Sequence, residues 1–500
     1  MSAGVSRVSK PTSDGVHSHT EPMTLADRLA DTWATLDDLT VPQPPDVRRP
    51  PGPPGRRTLL ELITRRTTLL DVFTRLSRDF GDVGYVPLAG EHLYVLSDPG
   101  LIWQGFVGEA RNTRKSRGLA LTRPLLGTGL LNSEGADHLR NRRLVQPVFH
   151  RQQIAGYATD MVAATDDLSR GWAARSGGAP IEIDVVDEMS ALTLDVVGRT
   201  LFGTDLSGSA AEVRGALDTV LKAFAAMLRP GAQVLVRLPT PARTRLFSAI
   251  EALDAVIDRV IAEKRAQIDE GAPGSDIVTL LLQSRDEETG AGLTDTQVRD
   301  ETMTMVLAGH ETTAMALSWA IRDLTLSPQA LSWLREEVDS APADGMSDLV
   351  GLSRTYAVIA EAMRLHPPAW IISRNLSAPV RLGEWDVPAG ATIMASQYAM
   401  HRDPRYWAHA DEFRPTRWLN GERFDEKTPG VPRGVWFPFG FGTRRCIGEQ
   451  FAWVEAVLVL ARLVREWEID IVNPSAITPV TAVTMRPSNP MNATLRPRRH

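Results

Sequence analysis

Apolar residues recur at helical spacing through most of this 500-residue chain, whereas strict alternation is confined to short stretches. A helical pattern over 59–80 leads into a predicted β-hairpin over 83–97. Helical patterns then fill most of 152–282, and strand signals return at 380–393 and near the C-terminus. The pattern therefore predicts a mainly α fold with a small β-rich part.

One predicted helix is much longer than the others. Thr294, followed three residues later by Gln297, is a capping-box start. The helix that it opens should run to about Ser327, because Pro328 follows. At about 1.5 Å per residue such a helix is roughly 50 Å long, enough to cross a whole domain.

The middle of this long helix has an unusual composition, Ala-Gly-His-Glu-Thr-Thr over 308–313. Glycine and paired threonines are poor helix formers. The hydroxyl of Thr312 can bond to the carbonyl of Ala308 and bend the helix. Together these residues can open a groove large enough for a diatomic ligand.

The N-terminal part of the chain differs in composition from the rest. Residues 1–22 are polar and are expected to be disordered, 24–39 reads as an amphipathic helix, and 42–55 is a stiff proline-rich linker. The helix can dock on the protein itself, on a partner or on a membrane. Its acidic polar side disfavours anionic lipid, so docking on the protein itself is favoured. Its apolar face comprises Leu25, Leu29, Trp33 and Leu36.

Composition narrows the functional classes. The chain is 43% hydrophobic and 23% charged, as expected for a globular protein with a large core, and its net charge of −6 gives no case for nucleic-acid binding. No signal peptide or transmembrane anchor is evident. Arginine makes up 50 of the 55 basic residues, which points to a GC-rich bacterial genome. We expect a cytoplasmic bacterial protein.

Cys446 is the only cysteine, so the chain can form neither an internal disulfide nor a multi-cysteine metal site. Three roles remain for this cysteine: a buried inert thiol, a nucleophile, or a single thiolate on a metal. A cysteine hydrolase needs a histidine base and an orienting partner, and nothing in the sequence marks that pair.

The flanks of Cys446 favour a metal ligand. The apolar stretch 450–467 has helix length, so the cysteine should lie at a helix N-terminus, where the helix dipole favours an anion. Glycines can let the loop approach a flat object, and arginines favour thiolate over thiol. These flanking residues are Gly440, Gly442, Gly448, Arg444 and Arg445. Such a loop suits the axial thiolate of a haem.

The spacing Phe439-x-x-Gly442-x-Arg444-x-Cys446-x-Gly448 resembles the haem-binding signature of the cytochrome P-450 family. The resemblance implies the P-450 fold, with the long central helix crossing the haem. It also implies heme b with Cys446 as the axial thiolate of its iron. The resemblance extends over residues 57–500, which we expect to form the catalytic domain. Residues 1–56 would then be an N-terminal extension.

The segment 308–313 is similar to the oxygen-activating helix of the same family. The resemblance places Ala308 against the haem and assigns Thr312 to stabilising iron-bound dioxygen and its hydroperoxide. It assigns Glu311 to relaying protons. His310 is expected to face structure or solvent.

The resemblance implies roles for two further groups of residues. Glu361 and Arg364 share one face of a helix that should end by His366. With Arg417 they are expected to form a structural network behind the haem that serves folding and cofactor retention. The expected partners of the haem propionates are His138, Arg142, Arg374 and Arg444.

The resemblance implies a haem-thiolate monooxygenase of secondary metabolism, monomeric, that takes electrons from NAD(P)H through a ferredoxin and its reductase. It would hydroxylate or epoxidise a hydrophobic small molecule of terpenoid, fatty acyl or polyketide type. The alternatives are a peroxide-dependent or isomerising haem-thiolate enzyme and a non-catalytic haem-binding protein. The expected pocket lining is Met305, Ala308, Ala369, Trp370, Ile371 and Val483.

Overall fold

The computed structural model describes residues 24–25, 28–29, 47–88, 90–203, 210–227, 240–341, 349, 351–428 and 430–498. The predictions of a disordered tail, of most of the helix over 24–39 and of the first part of the linker lie outside these residues.

Helices form most of the described chain, as the apolar periodicity predicts. In chain order they are α1 (Gly55–Ile63), α2 (Leu69–Asp79), α3 (Pro99–Trp103), α4 (Arg117–Ala120), α5 (Arg123–Leu126), α6 (Gly135–Val145), α7 (Arg151–Ser176), α8 (Val185–Phe202), α9 (Ala210–Met227), α10 (Pro241–Asp269), α11 (Ile277–Gln283), α12 (Asp295–Leu326), α13 (Pro328–Ser340), α14 (Ser353–Leu365), α15 (Gln397–Met400) and α16 (Glu449–Glu466).

The strands are short and form small sheets. They are β1 (Val83–Leu88), β2 (Glu91–Leu96), β3 (Thr113–Lys115), β4 (Ile181–Asp184), β5 (Ile372–Leu376), β6 (Val380–Leu382), β7 (Trp385–Val387), β8 (Thr392–Ala395), β9 (Leu419–Asn420), β10 (Arg423–Phe424), β11 (Trp467–Ile471), β12 (Pro479–Thr481), β13 (Met485–Pro487) and β14 (Asn492–Pro497).

The largest sheet has the strand order β1-β2-β8-β5-β3, in which only the β2–β8 pair is parallel. The predicted hairpin is present as β1 and β2, with Val83 opposite Leu96. The strand signals near the C-terminus correspond to β11–β14. The sequence did not predict the strands β3, β4, β5, β9 and β10.

The long central helix α12 has the predicted start. The Thr294 hydroxyl accepts a hydrogen bond from the Gln297 amide N–H at 3.2 Å, and the Gln297 side-chain oxygen accepts one from the Thr294 amide at 3.0 Å. The helix ends at Leu326 after 32 residues, a length of about 48 Å. It packs against α8, α14 and α16, and most of its residues are buried. The core of the molecule therefore surrounds α12.

The prediction of a single helix over 59–80 is wrong, because the structure has two helices, α1 and α2, in this region. Arg65 between them has a φ of 55°, in the left-handed region that interrupts a helix. Thr68 then caps α2 through a reciprocal pair of hydrogen bonds with Asp71.

The described part of the N-terminal segment lies against the body of the protein. Leu25 packs on the main hydrophobic core. Arg28 is 7% exposed, and its guanidinium forms an ion pair of 2.5 Å with Asp254 of α10. Asp254 also accepts a hydrogen bond of 2.9 Å from Arg299 of α12. This carboxylate thus joins the N-terminal segment to two helices of the core.

Candidate active site

A cavity of about 1130 Å³ lies in the middle of the molecule. Its wall includes the face of α12 that carries Thr312 and the loop 437–448 that carries Cys446. All the predicted pocket residues, from Met305 and Ala308 on α12 to Val483 near β13, also lie on this wall. The volume exceeds the 300–1,000 Å³ typical of a site for one drug-sized ligand.

The cysteine loop holds its shape through backbone geometry. Gly440 and Gly442 have φ values of 73° and 58°, which side-chain-bearing residues rarely adopt. The amide of Cys446 donates a hydrogen bond of 2.8 Å to the carbonyl of Phe439. Cys446 itself precedes α16, which begins at Glu449 with Gly448 as its N-cap. The sulfur therefore faces the cavity from a folded loop.

Of the flanking arginines, Arg445 favours the thiolate of Cys446, as expected, but burial has the larger effect on the pKa of this thiol. The Cys446 sulfur is accessible from the cavity, yet burial of the loop raises the pKa of its thiol to about 11. The amide of Gly448 and the guanidinium groups of Arg142 and Arg445 oppose that rise, but burial outweighs them. A bound metal cation would reverse this balance, because a thiol that coordinates a metal is deprotonated.

Basic side chains converge on one region of the cavity wall. They include the four that the sequence singled out and one that it missed, namely His138, Arg142, Arg374, Arg444 and Lys115. Arg444 donates to the carbonyl of Ser133 at 2.8 Å and to the carboxylate of Glu134 at 2.5 Å. Arg142 donates to the carbonyl of Arg445 at 2.9 Å, so it ties α6 to the cysteine loop.

These basic groups repel one another electrostatically. Burial, followed by repulsion from Arg444, lowers the pKa of Arg374 to about 10 and that of His138 to about 3. The pKa of Lys115 falls well below its ordinary value for the same two reasons. Glu134 is the one carboxylate that raises these pKa values among the residues described. The cluster therefore has an excess of buried positive charge, which suits an anionic ligand.

The predicted side-chain hydrogen bond of Thr312 is present in α12. Its hydroxyl donates a hydrogen bond of 2.6 Å to the carbonyl of Ala308, and both residues line the cavity. The neighbouring His310 is 5% exposed and points into the protein interior, where burial lowers its pKa to about 4. His310 thus faces structure, which was one of the two expectations for it.

Glu311 is buried on the cavity wall and held by the C-terminal hairpin. Its Oε1 atom accepts hydrogen bonds of 2.6 Å from the Thr484 hydroxyl and from Nε of Arg486 on β13. Its Oε2 atom has no hydrogen-bond partner among the described residues. Sequence reasoning missed Thr484 and Arg486, because no local pattern marks a contact across about 175 residues.

The predicted network of Glu361, Arg364 and Arg417 is present, but it does not lie on the cavity wall. Both nitrogen atoms of the Arg364 fork donate to Glu361, at 2.8 and 2.9 Å. Arg417 donates to the same carboxylate at 3.1 Å, and so does the indole of Trp418 at 2.9 Å. Arg364 also donates to the carbonyls of His401, Ala410 and Glu412. The group joins α14 to the segment 401–418.

Comparison with known proteins identifies the family. The sequence model described as Cytochrome P450 matches residues 50–493, almost the whole chain. The chain belongs to the cytochrome P450 family. Monooxygenase relatives of this P450 support the same enzyme class, so it is a cytochrome P450 monooxygenase.

This P450 is similar to several curated Streptomyces proteins. It is 36% identical to cyclooctatin synthase of Streptomyces melanosporofaciens over 84% of this chain and 88% of the relative. It is 34% identical to cyclooctat-9-en-7-ol 5-monooxygenase of the same organism, over 78% and 83% of the two chains. It is 33% identical to pentalenene oxygenase of Streptomyces avermitilis, over 81% and 88%.

Membership of the family implies a haem whose iron has a thiolate ligand. The donor set of the cavity fits that group. Cys446 provides a thiol on the wall, and the buried basic cluster has the positive charge that two propionates require.

Among the helices of the described P450 residues, none is long and apolar enough to cross a membrane.

Proposed function

We propose that this P450 oxidises a cyclic terpenoid, with Cys446 as the iron ligand and a ferredoxin as the immediate electron donor. The observation that carries the proposal is one apolar cavity whose wall holds both Cys446 and Thr312. Two of the relatives described above are named for cyclooctatin and for cyclooctat-9-en-7-ol, and a third for pentalenene. These names favour terpenoids over fatty acyl chains and polyketides.

A haem with a thiolate ligand would supply the activation of dioxygen. In that chemistry one oxygen atom enters the substrate and the other is reduced to water. The buried basic cluster would bind the two propionates: Lys115, His138, Arg142, Arg374 and Arg444. Cys446 would coordinate the iron. Phe439, Gly442 and Gly448 belong to the loop around it, and Ala308 of α12 lines the same cavity.

Thr312 and Glu311 would deliver protons to the site. The Thr312 hydroxyl lies on the cavity wall, where it can pass on or hold a proton. Glu311 is the nearest acidic neighbour along the helix, and one of its oxygens is bound by Thr484 and Arg486 while the other is available. An acid next to a hydroxyl on the wall suits a reaction that consumes protons with dioxygen.

The apolar part of the wall would hold the terpenoid and exclude water. Met305 and Ala308 contribute from α12, and Ala369, Trp370 and Ile371 contribute from the segment before β5. Trp370 is fixed by a hydrogen bond of 3.3 Å from its indole to the carbonyl of Ala482. Such a surface binds a rigid hydrocarbon through buried area, with few polar contacts to fix its orientation.

The electron donor would approach the face next to the cysteine loop. Trp103 is 38% exposed there, and its ring packs edge-on against Phe441 of the loop at 5.9 Å. The exposed guanidinium of Arg433 lies 5.4 Å from the Trp103 ring. An exposed aromatic beside a basic group suits an acidic ferredoxin.

The test is oxidation of a panel of cyclic terpenes, fatty acids and macrolides by the haem-loaded protein. We expect substrate-induced haem spectral shifts with the terpenes, and a product whose new oxygen comes from dioxygen when ferredoxin, its reductase and NADPH are present. Turnover with peroxide alone, or no turnover with any electron donor, would contradict the proposal.

The docking of the donor is tested separately. Arg433→Glu should slow reduction by ferredoxin and leave reduction by dithionite unchanged. Arg381→Glu changes an exposed arginine on β6 and should affect neither reduction.

A further inference from the structure

An acidic side chain, Glu134, contacts the buried basic cluster from outside the cavity. It is the N-cap residue of α6, and its side chain is 33% exposed. Its partner Arg444 lines the cavity and is better buried, with a side chain 16% exposed, whereas Glu134 does not belong to the cavity wall. Arg444 therefore lies between the cavity and this carboxylate.

The two carboxylate oxygens of Glu134 have different partners. Oε2 accepts a charge-assisted hydrogen bond of 2.5 Å from Nη2 of Arg444. Oε1 accepts a hydrogen bond from the backbone amide of Lys115, at the end of β3. The neighbouring carbonyl of Ser133 accepts a hydrogen bond of 2.8 Å from Nη1 of Arg444. Two consecutive residues thus fix both the guanidinium of Arg444 and the backbone of Lys115.

The basic cluster has more positive charge than the two propionates of a haem would neutralise. Lys115, Arg142, Arg374 and Arg444 all line the cavity. Glu134 raises the pKa values of Lys115, Arg374 and Arg444, as a nearby negative charge does. Reduction adds an electron to the haem iron, so a positive surplus beside the propionates favours the ferrous state. A carboxylate that offsets part of this surplus disfavours it.

We propose that Glu134 is a positioning residue that holds Arg444 towards a haem propionate and, through its charge, keeps the reduction potential of the haem iron low. The inference rests on the proposed binding of the propionates by the basic cluster and deepens it. A guanidinium has five N–H donors, so Arg444 retains donors for a propionate while it is bound to Ser133 and Glu134. Glu134 itself contacts neither the haem nor the substrate.

The test is a spectroelectrochemical titration of the haem-loaded protein. Glu134→Gln removes the charge and keeps an acceptor for the Lys115 amide. It should shift the reduction equilibrium towards the ferrous state at least about threefold, which is about 28 mV at 59 mV per tenfold. At an effective dielectric of about 20, unit charges roughly 15 Å apart interact by somewhat more than this. Glu134→Asp keeps the charge and should stay close to the wild type. The control Glu288→Gln removes a carboxylate that is 71% exposed and paired with Arg143 of the same helix α6, and it should leave the potential unchanged.

An unchanged potential in Glu134→Gln would overturn the inference. An equal rise in Glu134→Asp or in Glu288→Gln would also overturn it, because the charge of Glu134 would then not be the cause.

Arg444→Gln separates this inference from the proposed function, since it should speed the transfer of haem to apomyoglobin. If Arg444→Gln loses haem at the wild-type rate, the proposed propionate site fails and the inference fails with it. Faster haem loss from Arg444→Gln, with an unchanged potential in Glu134→Gln, refutes the inference alone. If Glu134→Gln does not take up haem, Glu134→Ala replaces it, because alanine places no amide donor against Arg444. Failure of both variants to take up haem would show a role in folding alone and would overturn the inference.

Discussion

Replacing Glu361 by glutamine tests whether the network behind the cavity stabilises the fold and retains the cofactor. Glu361 is fully buried and accepts five hydrogen bonds, two from Arg364 and one each from Arg417, Trp418 and the amide of Arg414. Glutamine has nearly the same shape, but it has one acceptor oxygen and carries no charge. Its amide group would face donors, and the Arg364 guanidinium would be buried without a counter-charge.

Breaking one partner of a buried ion pair costs about 3–5 kcal/mol. The unfolding entropy is about 2.1 cal/mol/K per residue, which for the roughly 440 residues of the family match amounts to about 0.9 kcal/mol/K. The melting temperature of Glu361→Gln should therefore fall by about 3–5 °C. Haem content per protein should fall with it, because Arg364 also binds the carbonyls of the segment that leads into the cysteine loop.

The assay is thermal unfolding followed by circular dichroism and by haem absorbance, with haem content measured beforehand. The matched control is Asp386→Asn, which breaks the ion pair with Arg381, whose two side chains are 78% and 66% exposed. That pair should contribute less than about 1 kcal/mol. If Glu361→Gln lowers the melting temperature no more than the control does, the structural role of the network is refuted.

Further variants test other parts of the site. Cys446→Ala should abolish the thiolate-type spectrum of the reduced carbon monoxide complex, because the chain has no other thiol. Thr312→Ala should consume NADPH and release peroxide with little product, whereas Thr312→Ser should keep most NADPH consumption coupled to product formation. If wild type and Thr312→Ala form equal product per NADPH, the assignment of Thr312 to proton delivery is refuted. Glu311→Gln should slow turnover, since it removes the titratable group while preserving shape. Burial raises the pKa of Glu455 to about 8, above its unfolded value of about 4.3, so stability falls as pH rises between these values. Glu455→Gln should therefore melt higher than wild type at about pH 8 and equally at about pH 4, and a gain independent of pH would contradict this.

Local sequence signals predicted the parts of the site that local geometry determines. The capping box at Thr294 set the start of α12, and the Thr312 hydroxyl bonds four residues back as its position required. The break between α1 and α2 was also readable, since Thr68 and Asp71 form a second capping box. The apolar periodicity across 59–80 obscured that signal, because two short amphipathic helices can share one period.

Contacts between distant segments could not be read in this way. Lys115 lies on the cavity wall, and Arg486 reaches Glu311, only because the fold brings distant elements together, and each looks like an ordinary surface charge in the sequence. The protonation of Cys446 is a similar case. The arginines beside it are visible in the sequence, but the burial that outweighs them is a property of the folded loop.

The shared carboxylate of Asp254 bears on where the cooperative unit of this P450 begins. The family match starts at residue 50, yet Arg28 and Leu25 are already part of the packed structure. A recombinant protein trimmed to the family boundary would lose the Arg28 charge and leave Asp254 with Arg299 alone on that side. The family match therefore begins later in the chain than the packed structure does. Purification tags and fusion partners are best joined upstream of residue 24.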